Sequence, residues 1–89
     1  MPVDYSLAQN YPNPFNPTTT IEYSLPENAD VSITIYDALG NELETVYHGE
    51  NNAGVHKVEW NAARYASGIY FYKMSAGNFV QVKKMLLLK

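Results

Sequence analysis

The sequence predicts an all-β fold: an antiparallel sandwich of about seven short strands around one core. Three observations predict it. Val, Ile, Thr and the aromatic residues make up 28 of the 89 residues, and Gly, Pro and Asn another 19, the vocabulary of short strands and tight turns. Apolar and polar residues alternate at period two, as in Val31-Ser32-Ile33-Thr34-Ile35-Tyr36, and no window sustains the helical period of about 3.6 residues. Turn-forming clusters separate these runs at regular spacing.

Taken in order, a short strand is expected near Ser6–Gln9. The stretch Asn10-Tyr-Pro-Asn-Pro-Phe-Asn-Pro17 places Pro12, Pro14 and Pro17 within six residues, which removes backbone donors and predicts a stiff corner. Asn13 and Asn16, each before a proline, are suited to cap turns, and Tyr11 and Phe15 are expected to plug the corner onto the sandwich. Ile21–Leu25 and Val31–Tyr36 read as strands joined by a turn over Pro26–Asp30. Asp37–Asn41 reads as a tight connection in which Gly40 supplies positive φ. Glu42–His48 is a strand whose anchors Leu43 and Val46, three apart, imply a bulge.

Gly49–Gly54 is expected to be a loop, and Val55–Trp60 a strand with His56, Val58 and Trp60 on one face. Asn61–Gly68 holds at most one helical turn. Ile69–Met74, apolar on both faces, reads as a central strand, Ser75–Asn78 as a hairpin turn and Phe79–Lys89 as the last strand. Seven such strands around one core predict an Ig-like sandwich, one domain over residues 1–89.

Charge is unevenly distributed. Residues 1–50 hold eight acids and no Lys or Arg, whereas residues 51–89 hold all six bases and one acid, Glu59. Six scattered bases make no nucleic-acid footprint. No apolar run exceeds four residues, as in Met85–Leu88, so no membrane-spanning helix is expected. The start Met1-Pro2-Val3-Asp4 lacks the basic and apolar regions of a signal peptide. With no cysteine there is no disulfide, thiolate metal site or Cys nucleophile.

The inventory for catalysis is thin, and no enzyme, metal or cofactor is expected. None of Ser6, Ser24, Ser32, Ser67 and Ser75 sits in a Gly-x-Ser-x-Gly elbow. His48 and His56 fall on different strands, and Glu42 and Glu44 share a solvated face, where a raised carboxyl pKa is not expected. The glycines are isolated, so no phosphate loop exists. Asp37, Asn41 and Glu42 miss the spacing of a calcium loop and read as turn caps. A strip of Trp60, Tyr65, Tyr70 and Tyr72 would suit sugar stacking. A chain this short buries roughly 64% of its unfolded surface, however, so its core needs nearly every large apolar side chain, Trp60 and Phe71 included.

Four blocks in order resemble a known family. Leu7-Ala-Gln-Asn-Tyr-Pro-Asn-Pro-Phe-Asn-Pro-Thr-Thr-Thr-Ile21 is similar to the opening of C-terminal sorting domains (type A) of the type IX secretion system, which are related to the Ig-like domain of flagellar hook-capping proteins. Val31–Asn41, with Tyr36 before Asp37-x-x-Gly40, resembles the family's strand-plus-turn motif. Ser67-Gly-Ile-Tyr-Phe-Tyr-Lys73 resembles its penultimate strand, and Gly77–Lys89 its terminal strand.

The resemblance implies a non-catalytic module that directs a preceding cargo protein through the periplasm and outer membrane of a Gram-negative bacterium to the cell surface. It implies machinery proteins of those compartments as partners, with the signal in Gly68, Gly77, Lys83, Lys84, Leu86, Leu87, Leu88 and Lys89. Met1–Tyr5 then reads as linker or as the start of an excised domain, and a monomer is expected. Physically, such a last strand suits recognition by strand addition or by peeling away. Its lysines either guard a sheet edge or attract an acidic groove. The alternatives are an accessory carbohydrate-binding or spacer domain of an extracellular hydrolase, and a self-assembling structural subunit.

Overall fold

The computed structural model describes residues 3–89, which fold into two antiparallel sheets and contain no helix. The strands are β1 (Ser6–Leu7), β2 (Thr18–Leu25), β3 (Ala29–Asp37), β4 (Glu42–Asn51), β5 (Gly54–Asn61), β6 (Gly68–Ala76) and β7 (Phe79–Leu87). One sheet has the order β1-β2-β5, the other β4-β3-β6-β7. The expected seven-strand sandwich is therefore present. Met1 and Pro2, the start of the expected linker, lie outside the described residues. Tyr5 stacks on Phe79 with ring centroids 5.4 Å apart.

Period-two patterning explains the core. In β2 the inward residues Thr19, Ile21, Tyr23 and Leu25 are all buried, and β3 contributes Val31, Ile33 and Ile35. In the same sheet as β3, and across the core from β2, β6 supplies Tyr70, Tyr72, Met74 and Ala76, and β7 supplies Met85 and Leu87. Trp60 of β5 closes one end. Each large side chain so buried stabilises by about 1.5–3 kcal/mol before ordering costs.

Local chemistry sets the connections. At Asp37 the carboxylate accepts the N–H groups of Leu39 and Asn41, each at 2.9 Å, and the Asn41 side-chain amide at 3.1 Å. Gly40 completes this turn at φ 89°. The expected bulge in β4 is double: the register with β3 slips at Ile33/Thr34 and again at Ile35/Tyr36. The skipped residues are Val46 and Leu43, which lets both anchors pack on the core although they are three apart.

Several expectations are corrected. The loop expected over Gly49–Gly54 shrinks to Asn52 and Ala53, because Val31, Asp30 and Ala29 pair with Gly49, Glu50 and Asn51 and carry β4 onward. The β6–β7 turn shrinks to Gly77 and Asn78, with Ala76 already paired to Phe79. Phe71 is not core: the pleat turns it outward between Tyr36 and Lys84, half-buried. Tyr11 is no plug either. Its backbone pairs with Thr20 while its side chain stays 46% exposed. Phe15 fills that role instead, only 2% exposed, its ring 5.8 Å from that of Trp60. Between β5 and β6 the chain makes a hydrogen-bonded turn, Tyr65 N–H to the Ala62 carbonyl at 3.0 Å.

Candidate functional site: the terminal strand and its edge

β7 is an edge strand. It pairs along its whole length with β6, from Ala76↔Phe79 to Gly68↔Leu87, and among the described residues with no other strand. Gly77, at φ 58°, makes the turn that launches it, and Gly68 stands opposite its far end. These two glycines bracket the strand rather than meeting at one place. Their residue type is set by backbone geometry.

The pleat sorts the side chains. Phe79, Gln81 and Lys83 share the inward side with the buried Met85 and Leu87. Val80, Val82, Lys84, Leu86 and Leu88 face outward, Val80 58% and Val82 52% exposed. The adjacent lysines thus lie on opposite faces. Leu87 is a core residue, while Leu86 lines a crevice of about 280 Å³ with Asn13, Pro14, Ile69 and Lys84. Next to these on the outer face, Lys73 lies 5.4 Å over the Tyr36 ring.

The backbone edge of β7 is closed at one end. Phe15 N–H donates to the Leu86 carbonyl and Leu88 N–H to the Phe15 carbonyl, both at 3.0 Å, a short parallel bridge. Asn13 Oδ1 accepts the Leu86 N–H at 3.0 Å, and Gln9 Nε2 donates to the Lys84 carbonyl at 2.7 Å. Asn13 therefore does not cap its own turn. It satisfies the terminal strand, accepting the N–H that Leu86 directs away from β6. Beyond the strand, Ser67 Oγ accepts the Lys89 N–H at 2.9 Å and the Lys89 ammonium bonds to the Ala63 carbonyl. Peeling off the last residues would break all of these bonds, so they do not form a loose tail.

The corner itself spans Pro12, Asn13, Pro14, Phe15, Asn16 and Pro17, with cis peptide bonds before all three prolines. It is held by a buried polar network that the sequence did not announce. Asn10, 2% exposed, donates from Nδ2 to Thr19 Oγ1 at 2.9 Å and to the Pro12 carbonyl at 3.2 Å. Its Oδ1 accepts Gln9 Nε2 at 2.7 Å. Its backbone N–H donates to the Tyr72 hydroxyl at 2.8 Å, which in turn donates to the Ala8 carbonyl at 2.7 Å. Burial pushes the Tyr72 hydroxyl pKa up to about 12. The available signal was Asn10 itself, a polar residue directly ahead of a proline-rich corner.

Other candidate groups serve the scaffold. The Asp37 carboxyl is held below its ordinary pKa, first by the Asn41 backbone N–H and then by the Asn41 side chain. Its oxygens are taken up by the turn. The aromatic faces proposed for sugar stacking are consumed in packing: Trp60, Tyr70 and Tyr72 are buried, and the Trp60 ring lies 5.6 Å from Tyr65 and 5.9 Å from Tyr70. Glu44 Oε1 accepts both the Trp60 indole N–H at 2.8 Å and the Tyr65 hydroxyl at 3.1 Å. His48 pairs opposite Ser32 in one sheet and His56 opposite Tyr23 in the other. Among the described residues no group of three or more His, Cys, Asp or Glu gathers in a metal-binding arrangement.

A family model described as "Secretion system C-terminal sorting domain" matches residues 9–88, from the glutamine that bonds β7 to the leucine that bonds Phe15. The chain belongs to that family. A comparison of the sorting domain with curated proteins gives no match. Among solved structures it is similar to a chain from work on PorZ, described as an essential bacterial surface component of the type IX secretion system of Porphyromonas gingivalis. The identity is 22% and the TM-score 0.59, and the match covers 96% of this chain and 11% of that one. The likeness is one of fold, and the sorting domain spans about a tenth of that chain's length.

Proposed function

We propose that this domain is the non-catalytic sorting module of a type IX secretion substrate, and that β7 is the element its machinery reads. The observation that carries the reading is the family match across residues 9–88. In this reading a cargo protein precedes the domain, and proteins of the periplasm and outer membrane recognise it and deliver the cargo to the cell surface. Residues 1–89 act as one unit. The strand orders β1-β2-β5 and β4-β3-β6-β7 support the Ig-like relation.

Within that unit the predicted signal residues take separate roles. Gly68 and Gly77 frame β7, Leu87 anchors it in the core, and Leu86, Leu88 and Lys89 are held by the corner and by the turn before β6. Lys83 and Lys84 supply its charge.

The test is export of a reporter fused ahead of the domain in a bacterium with this system. The intact fusion should reach the surface, and deletion of Met85–Lys89 should retain it in the periplasm. Because Met85 and Leu87 are core residues, the deletion is paired with Lys84→Glu, which changes an exposed side chain only. Unchanged export of both variants overturns the reading.

A further inference from the structure

We infer that the open half of the β7 edge, residues 80–84, is a strand-docking site whose occupant is an extended acidic and apolar segment of a partner protein. The inference rests on the sorting reading for the setting in which that partner is met. It is carried by the backbone and by the charges beside it.

In an antiparallel ladder each residue directs its N–H and C=O to the same side, and successive residues alternate. Leu86 directs both groups away from β6, toward Asn13 and Phe15. Residues 84, 82 and 80 share that parity, and the Lys84 carbonyl accordingly meets Gln9. The corner reaches no further. Among the described residues nothing bonds the N–H and C=O of Val80, the N–H and C=O of Val82, or the N–H of Lys84. From Val80 to Lys84 these groups form a row of about 14 Å at ~3.4 Å per residue, long enough for one short added strand.

The flanking side chains specify what that strand carries. On the outer face Val80 and Val82 are both more than half exposed and call for apolar neighbours. On the inner face the neighbours are Gln81 and Lys83, and Lys84 stands at the end of the row. Neither β6 nor β7 contains an acid, and together they hold Lys73, Lys83 and Lys84. An entering strand that alternates apolar and acidic residues places the first beside the valines and the second beside Lys83. Lysines at an edge thus act as a filter: they repel the basic β7 of another copy and admit an acidic strand.

A second copy's β4, though acidic, is a poor occupant. Its ladder slips at two points, and Glu44 is already bound to Trp60 and Tyr65.

The probe is a capped peptide of three Val-Glu repeats, titrated into the isotope-labelled full chain and followed by backbone amide NMR, with three Val-Lys repeats as control. In the free domain the amides of Val80, Val82 and Lys84 should exchange quickly and those of Leu86 and Leu88 slowly. The acidic peptide should shift and protect the first group, and the basic peptide should bind at least about tenfold more weakly. Val82→Pro removes an edge amide that serves no bond among the described residues, and should abolish binding while the rest of the spectrum persists. Lys83→Glu with Lys84→Glu should weaken binding about tenfold or more and restore it for the basic peptide.

Four results overturn the inference: Val80 and Val82 amides as protected as Leu86, peptide shifts centred elsewhere, equal binding of both peptides, or a concentration-dependent dimer through this edge in sedimentation. The export test separates the two readings. Peptide binding abolished by Val82→Pro supports the docking edge whatever export does. Export lost in Lys84→Glu without any peptide binding overturns it and leaves the sorting reading standing.

Discussion

The Tyr72 hydroxyl accepts the backbone N–H of Asn10 at 2.8 Å, tying the middle of β6 to the chain just ahead of the proline corner. The same hydroxyl donates to the Ala8 carbonyl at 2.7 Å, so one phenol satisfies two main-chain groups of the other layer. Tyr72→Phe keeps the ring in the core and strands both partners. It should cost about 1–3 kcal/mol, read as a lower urea midpoint at unchanged slope. A change below ~0.5 kcal/mol would show that this bridge carries no net stability.

Phe15→Ala should be more severe. Phe15 is fully buried against Trp60, and truncation of a buried Phe costs about 3–5 kcal/mol. Because the Phe15 main chain also holds Leu86 and Leu88, amide exchange at Leu88 should accelerate more than at Ile33 in the centre of β3. Equal acceleration at both sites would mean that the corner does not secure the strand end separately.

Alkaline pH should destabilise the domain through its buried phenols. Burial, the larger cause, and the neighbouring Tyr47 raise Tyr23 to about 12, and burial raises Tyr72 to about 12, from an ordinary 10.0. A folded pKa above the unfolded value stabilises fully below pH 10 and is lost as pH rises through about 12. Urea midpoints should therefore fall across that window, and less steeply in Tyr72→Phe. Identical slopes in the two proteins would exclude Tyr72 as a cause.

Acid acts at the β3–β4 turn. The folded Asp37 pKa is depressed, so its contribution is present above the ordinary value of 3.8 and is lost as pH falls through the lower folded value. Asp37→Ala should flatten the acid limb of the stability profile. Gly40→Ala places a Cβ at φ 89° with no steric contact nearby, so its cost should be backbone strain alone, about 1–2 kcal/mol. A neutral outcome for Gly40→Ala would mean that the turn relaxes to negative φ.

Much of the fold was legible because side-chain alternation is a local property. Ile21, Tyr23 and Leu25, then Val31, Ile33 and Ile35, announced both their strands and their buried faces. The errors arose where a neighbour decided. Gly49–Asn51 look like loop until β3 pairs with them, and Phe71 looks like core until the pleat turns it outward. At the candidate site, Lys83 and Lys84 were visible as charge and Gly77 as a turn. The division of the β7 edge was not, because Asn13 and Gln9 reach it from 73 and 75 positions away. No local pattern encodes a contact of that span.

Those spans have a consequence for how the domain assembles. A bond between residues more than seventy positions apart cannot nucleate locally, since its loop must close before the contact repays the entropy. The proline corner is thus expected to be a clasp fastened late, after the sheets that bring Gln9 near Lys84 have formed. Whether the clasp is shut reports on the state of the whole sandwich at a single strand edge.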